Sequence, residues 1–89
     1  MSEDHATRLK RLAMRSARRG TKEMDIILGR YAGVHLAAMA PGRLDLYEAL
    51  LEENDQDLYQ WVTGQVPPPS RYSALLAEIA EHTGTAARG

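Results

Sequence analysis

The chain contains no cysteine among its 89 residues. Disulfides, thiolate metal sites and cysteine nucleophiles are therefore excluded, and a reducing compartment fits. No apolar run approaches the roughly 20 residues that span a bilayer, so membrane insertion is not expected. The opening segment Met1-Ser2-Glu3-Asp4 is acidic and has no apolar signal region, which makes a bacterial cytoplasmic protein the expectation. There is no strand-like alternation, no internal repeat and no Asn-Gly hairpin. No Gly-x-Gly-x-x-Gly or phosphate-binding loop occurs, so no cofactor is expected on this chain. His5, His35 and His82 are isolated in sequence; none forms a His-x-x-x-His or Glu-x-x-His pair, and no metal is expected.

What is present suits one small helical domain. Hydrophobic residues make up 44% and charged residues 26%, too apolar for a disordered chain. A chain of this size buries only about 60–65% of its unfolded surface, leaving little room for a deep catalytic cleft. The net charge of −1 is unevenly distributed. Residues 1–30 carry eight Lys/Arg and four Asp/Glu, a balance of +4, whereas residues 31–89 carry three and eight, a balance of −5. Such asymmetry steers an acidic partner, a nucleic acid or a protein face, or is simply a solvated helix surface.

Every clear periodicity is helical. Asp4 can cap a first helix running to about Arg18, with Leu9, Leu12, Ala13 and Ser16 on its apolar stripe. Gly20 ends it by adopting the left-handed conformation. Thr21 can cap a second helix, with Glu23 and Asp25 at the positive end of its dipole. Met24, Ile27, Leu28, Tyr31, His35, Ala38 and Met39 lie along one face. Pro41-Gly42 interrupts the pattern, with Pro41 in a turn or at the start of the next helix. A third helix covers about residues 43–53, with Leu44, Tyr47, Leu50 and Leu51 inward. A polar corner, Asn54-Asp55-Gln56-Asp57, leads to a short helix over about 57–63 that buries Leu58, Trp61 and Val62, and Gly64 stops it. Pro67-Pro68-Pro69 is extended. Ser70 can cap a last helix to about His82, with Tyr72, Leu75, Leu76 and Ile79 inward. The expected fold is all-α, a compact bundle of five short helices over one domain, with an ordered core of about 4–82 and a fraying tail from 83 to 89.

Candidate chemistry is sparse. Glu52, Glu53, Asp55 and Asp57 read as a helix corner rather than an acid–base pair, which would need a cleft. Trp61 reads as core and Tyr59 as surface. Arg8, Lys10, Arg11, Arg15, Arg18 and Arg19 could line a nucleic-acid backbone. However, their spread around the helix suggests several separate contacts, and no helix-turn-helix, zinc or RNA-binding signature accompanies them. Arg19-Gly20-x-x-Glu23 is more pointed. An exposed glycine lets another backbone approach closely, and the flanking Arg and Glu offer charge-assisted bonds of opposite sign. Arg15, Arg18, Arg19, Gly20, Glu23 and Asp25 are the candidate partner-binding residues, with no catalytic residue among them.

Two stretches in order carry a family resemblance. Arg15-Ser16-x-Arg18-Arg19-Gly20-x-x-Glu23-x-Asp25, followed by Leu28 and Tyr31, is the first. Leu50-Leu51-Glu52-x-x-Asp55-x-Asp57-Leu58-Tyr59-x-Trp61 is the second. With the proline segment and final helix after them, the chain over about residues 8–80 resembles the succinate dehydrogenase assembly factors, or flavinators (SdhE in bacteria). Thr21 stands where many relatives carry methionine. The resemblance implies a five-helix protein that is itself no enzyme. It would bind the flavoprotein subunit of succinate dehydrogenase, and in bacteria that of fumarate reductase, and promote covalent attachment of FAD to that partner. It further implies that Arg19, Gly20 and Glu23 form the recognition surface, flanked by Arg18 and Asp25. A monomer when free, with no nucleic-acid partner, is the matching expectation. The alternative is a small nucleic-acid-binding or antitoxin-like adaptor that uses the basic first helix.

Overall fold

Caps and breakers set the elements. The computed structural model describes residues 3–83 and contains five α-helices: α1 (His5–Ala17), α2 (Lys22–His35), α3 (Pro41–Leu50), α4 (Asp55–Val62) and α5 (Ser73–Thr83). Asp4 caps α1 by accepting from the Thr7 amide at 2.8 Å, and Thr21 caps α2 by accepting from the Met24 amide. Pro41 opens α3 at a position where its missing N–H costs nothing. Asn54 caps α4 through the Asp57 amide at 2.9 Å. That cap starts α4 two residues before the expected Asp57, while α3 closes at Leu50 rather than near Glu53.

Two short 3-10 turns, Leu36–Ala38 and Ser70–Tyr72, replace stretches expected as continuous helix. The first turn buries Leu36, whereas Ala38 on the expected face is exposed. Gly64, at φ +81°, is the left-handed stop after α4. Gly20 is not left-handed, contrary to expectation; Arg18 closes α1 with φ −128°. The fraying expected of the tail falls, apart from Thr83, outside the described residues.

One core unites the helices. α2 packs against α1, α4 and α5, contributing Met24, Leu28, Tyr31 and Ala32. These meet Leu12, Leu44, Tyr47, Leu50, Leu51, Leu58, Val62, Tyr72, Leu75, Leu76 and Ile79. The expected inward faces of α3 and α5 are thus the observed ones. Trp61 is only half-buried, its ring 6.2 Å from that of Tyr72. The buried polar pair is satisfied: the Ser16 hydroxyl donates to the Leu12 carbonyl at 2.7 Å. The Tyr47 hydroxyl, 2.7 Å from Ser16 Oγ, then has to be the donor to it. Burial pushes the Tyr47 phenol up to about 12, so it stays a donor at neutral pH.

His35 and His82, far apart in sequence, meet with ring centroids 5.1 Å apart, and Tyr31 stacks on His35 at 4.5 Å. The Tyr31 hydroxyl donates to Glu78. This ring cluster fastens the end of α5 to α2. Among the described residues no group of His, Asp and Glu has the placement to hold a metal ion, and no helix is long and apolar enough to cross a membrane.

The charge asymmetry of the sequence becomes self-complementarity in the fold. Arg8, Arg11 and Arg15, spaced three and four apart, share one stripe of α1. Arg8 pairs with Asp45 at 2.7 Å and Glu48 at 2.9 Å, Arg11 with Glu48 and Glu3 at 2.9 Å, and Arg15 with Glu52 at 2.6 Å. The arginines therefore form a single zipper onto α3 and the corner after it, not a scatter of independent contacts. Each half-exposed pair contributes little alone, on the order of 0–1 kcal/mol, but Glu48 is shared by two arginines.

Hydrogen bonds from Arg11, then from Arg8, hold the Glu48 carboxyl below its ordinary value of 4.5 against the opposing effect of desolvation. A depressed folded value stabilises the native state above the unfolded pKa, and that stability is lost as pH falls through the folded value. Glu48→Gln should cost about 1 kcal/mol in urea unfolding at neutral pH. The gap from wild type should close as the pH is taken well below 4.5; a gap that persists in acid would place the loss in packing instead.

Candidate partner-binding site

The site lies where two helix corners meet. Residues 18–21 join α1 to α2, and residues 51–54 join α3 to α4. Arg19 spans them. Its Nε donates to Asp55 Oδ1 at 2.8 Å, one Nη to the Leu51 carbonyl at 2.7 Å and the other Nη to the Glu53 carbonyl at 2.8 Å. A rigid planar fork suits this set, because three acceptors at fixed angles need donors at fixed angles. The Leu51 and Glu53 carbonyls lie at the end of α3, where backbone acceptors lack helical partners and a cation is favoured. The side chains of Arg19 and Asp55 are 11% and 15% exposed, so the pair is largely withdrawn from solvent.

The backbone completes the joint. The Gly20 N–H donates to Asp55 Oδ2 at 2.5 Å, giving each oxygen of that carboxylate a donor. Asp25, in the first turn of α2, accepts the backbone N–H of Arg19. A Cβ at Gly20 would stand 2.8 Å from Asp55 Oδ2. Close approach, not a left-handed φ, is thus what requires glycine here. Tyr72 extends the joint to the 3-10 turn that precedes α5, its hydroxyl donating to Glu53 Oε2 at 3.3 Å.

The six candidate residues accordingly separate into two groups. Arg19 and Asp25 turn inward to the joint, and Arg15 is half-buried against Glu52 and the Leu51 carbonyl at 3.4 Å. Arg18, Gly20 and Glu23 are exposed. Among the described residues, neither Arg18 nor Glu23 has an ion-pair partner, nor does the neighbouring Lys22. The arrangement presents both signs of charge and a stretch of backbone to solvent.

Beside Glu23 a groove of about 440 Å³ opens between the start of α2 and α4, lined by Thr21, Glu23, Asp55, Gln56, Tyr59 and Gln60, with Gln65. Sequence reasoning placed Tyr59 on the surface but missed the groove. It also missed Asp55 as the acceptor for Arg19. The available signal was one of three arginines in one signature and a capping-type aspartate in the other, 36 residues away.

With this geometry in view, the comparisons are specific. A family model described as flavinator of succinate dehydrogenase matches residues 10–83. Succinate dehydrogenase assembly factor 2, mitochondrial, of Meyerozyma guilliermondii is 38% identical over 73 residues, 79% of this chain and 54% of that protein. The protein of the same name from Candida glabrata is 43% identical over 76 residues, 80% of this chain and 50% of that one. That from Yarrowia lipolytica is 35% identical over 88 residues, 90% and 61%. The chain spans about half the length of these curated relatives. Their mitochondrial, fungal character overturns the bacterial cytoplasmic location expected above. That expectation rested on the composition of four opening residues, which carries no information about the compartment in which a folded domain works.

Two substitutions test the joint. Arg19→Ala and Asp55→Ala should each destabilise the fold by about 2–4 kcal/mol, since each strands a partner that is largely withdrawn from water. The double variant should show a coupling of about 1–3 kcal/mol; additive losses in thermal unfolding would mean that the two side chains act separately. Gly20→Ala should lower the melting temperature by pressing on Asp55, and adding Asp55→Ala to it should relieve part of that strain.

Proposed function

This chain belongs to the family of flavinators of succinate dehydrogenase, and from that premise we propose that it binds the flavoprotein subunit of succinate dehydrogenase and promotes covalent attachment of FAD there. The observation that carries the proposal is the exposed face Arg18-Gly20-Glu23, whose two charges have no ion-pair partner among the described residues, held out by the Arg19–Asp55 joint behind it. An exposed carboxylate and guanidinium on either side of an open glycine offer two charge-assisted bonds around one close backbone approach.

The chain acts as an assembly factor rather than a catalyst in this reading. FAD stays with the client, and no cofactor is held by this chain. Its contribution is positional: by favouring one conformation of the client, it keeps the flavin and the residue that will carry it in register. The energy comes from tighter binding to that conformation than to others. Release then follows once the covalent bond alters the client conformation. The flavoprotein subunit of fumarate reductase is a second client for the same face.

The nucleic-acid alternative is less well supported by the geometry. It needs Arg8 and Arg11, whose guanidinium groups lie on Asp45, Glu48 and Glu3. Recruiting them to phosphate would dismantle the zipper between α1 and α3.

The decisive measurement is in-gel flavin fluorescence of the denatured flavoprotein subunit, from cells with and without this protein. Deletion should reduce the signal at least tenfold. Wild type should restore it, and Glu23→Ala should not, although its unfolding curve should match that of wild type. Full fluorescence in the deletion strain would remove the proposal.

A further inference from the structure

The groove beside Glu23 is more than a flank of the motif. It continues along α2 and α4 into a second hollow of about 270 Å³ that includes Ile26 and Thr63, with Glu23 and Tyr59 bordering both parts. We infer that this groove takes an extended segment of the flavoprotein subunit in which a lysine or arginine stands next to an aliphatic residue. The inference rests on the client proposed above and names the chemistry of the segment that this chain would read.

Three features argue for that occupant. The first is charge. Both oxygens of Asp55 already accept internal donors, so Glu23 is the carboxylate on the groove wall with no partner among the described residues. A cation on the occupant would complete it, and an acidic segment would be repelled by both carboxylates.

The second is hydrogen bonding. The side-chain amides of Gln56 and Gln60 have no partner among the described residues. Each presents a donor and an acceptor, the pair that an extended backbone needs along its edge. The third is apolar surface. Ile26 is 42% and Tyr59 38% exposed, and both border the second hollow. An aliphatic side chain laid there would cover surface that folding leaves wet. Because Glu23 and Tyr59 border both parts, the basic and aliphatic positions of the occupant are neighbours. The groove begins at Thr21, next to Gly20 in the chain, so the segment would continue the interface at the exposed face.

The test is site-specific photo-crosslinking with p-benzoylphenylalanine at Gln60, inside the groove, and at Lys22, beside it. The partner is the purified flavoprotein subunit before FAD attachment. Peptide mapping should place the Gln60 crosslink in a segment with Lys or Arg adjacent to an aliphatic residue. Glu23→Lys and Ile26→Asp should each weaken binding at least tenfold, while Met14→Ala, on the exposed face of α1, should not. Reversing the mapped basic residue to Glu should restore binding to the Glu23→Lys variant.

A crosslink from Lys22 but none from Gln60 would overturn the groove inference and leave the client reading intact. So would a mapped segment that is acidic or lacks a basic residue, a crosslink into a second copy of this chain, or a charge swap that fails to rescue. If wild type itself does not bind the flavoprotein subunit, the client reading fails and the inference falls with it.

Discussion

The structure depends on one guanidinium. Arg19 closes two helix corners against each other by donating to a carboxylate and to two carbonyls at the end of α3. Nothing else on the α1–α2 corner reaches Leu51, Glu53 and Asp55 together. A lysine at this position would supply a point charge without the fork and would leave acceptors unfilled. Asp55 is equally constrained, since it accepts from the Arg19 side chain and from the Gly20 backbone. Its position sets the start of α4, and α4 sets the wall of the groove. The geometry that a partner would meet at Glu23 and Tyr59 is therefore set by a contact made within the protein.

The remaining charges follow the same logic of internal use. Arg8, Arg11 and Arg15 are engaged by α3 and its following corner, so half of the basic residues of the first stretch that precede Gly20 are used within the fold. Arg18, Lys22 and Glu23, within six residues of each other at the corner, have no ion-pair partner among the described residues. Surface ion pairs of this kind add little stability singly. Their larger effect is to decide which charges remain available. A protein with a net charge of −1 can in this way show a partner a local pattern quite different from its total.

Local signals in the sequence were legible, and contacts between distant residues were not. The caps at Asp4 and Thr21, the stop at Gly64, and the inward faces of Leu44, Tyr47, Leu75 and Ile79 follow from spacing and turn chemistry, and the structure has them all. Asn54 as the true cap of α4 was hidden in a run where three of four residues can cap. The 3-10 turns at 36–38 and 70–72 were hidden because apolar spacing does not distinguish a tightened turn from α-helix. Gly20 was read through its own backbone, whereas its requirement comes from Asp55, 35 residues on. The His35–His82 contact and the inward turn of Arg19 were likewise invisible, because both join separate helices. Gly20 and Glu23 are exposed. For Arg19 the reading as a recognition residue left out its place in the joint.

This division bears on how a small protein could assist a large one. In the function proposed above, the influence of this chain would come from binding one client conformation better than another. That difference is largest when the binding face is already set and the ordering of its own side chains costs little on association. The Arg19–Asp55 joint provides such pre-setting: it fixes the corner from behind, with each guanidinium nitrogen donating and each Asp55 oxygen accepting, and leaves the outward groups exposed. A loss of function on changing Arg19 would thus report a corner that has lost its shape. A loss on changing Glu23 would report a missing contact. Fold stability separates the two cases, because only the first change breaks bonds within the protein. An equal loss of function from both would still have two different physical causes.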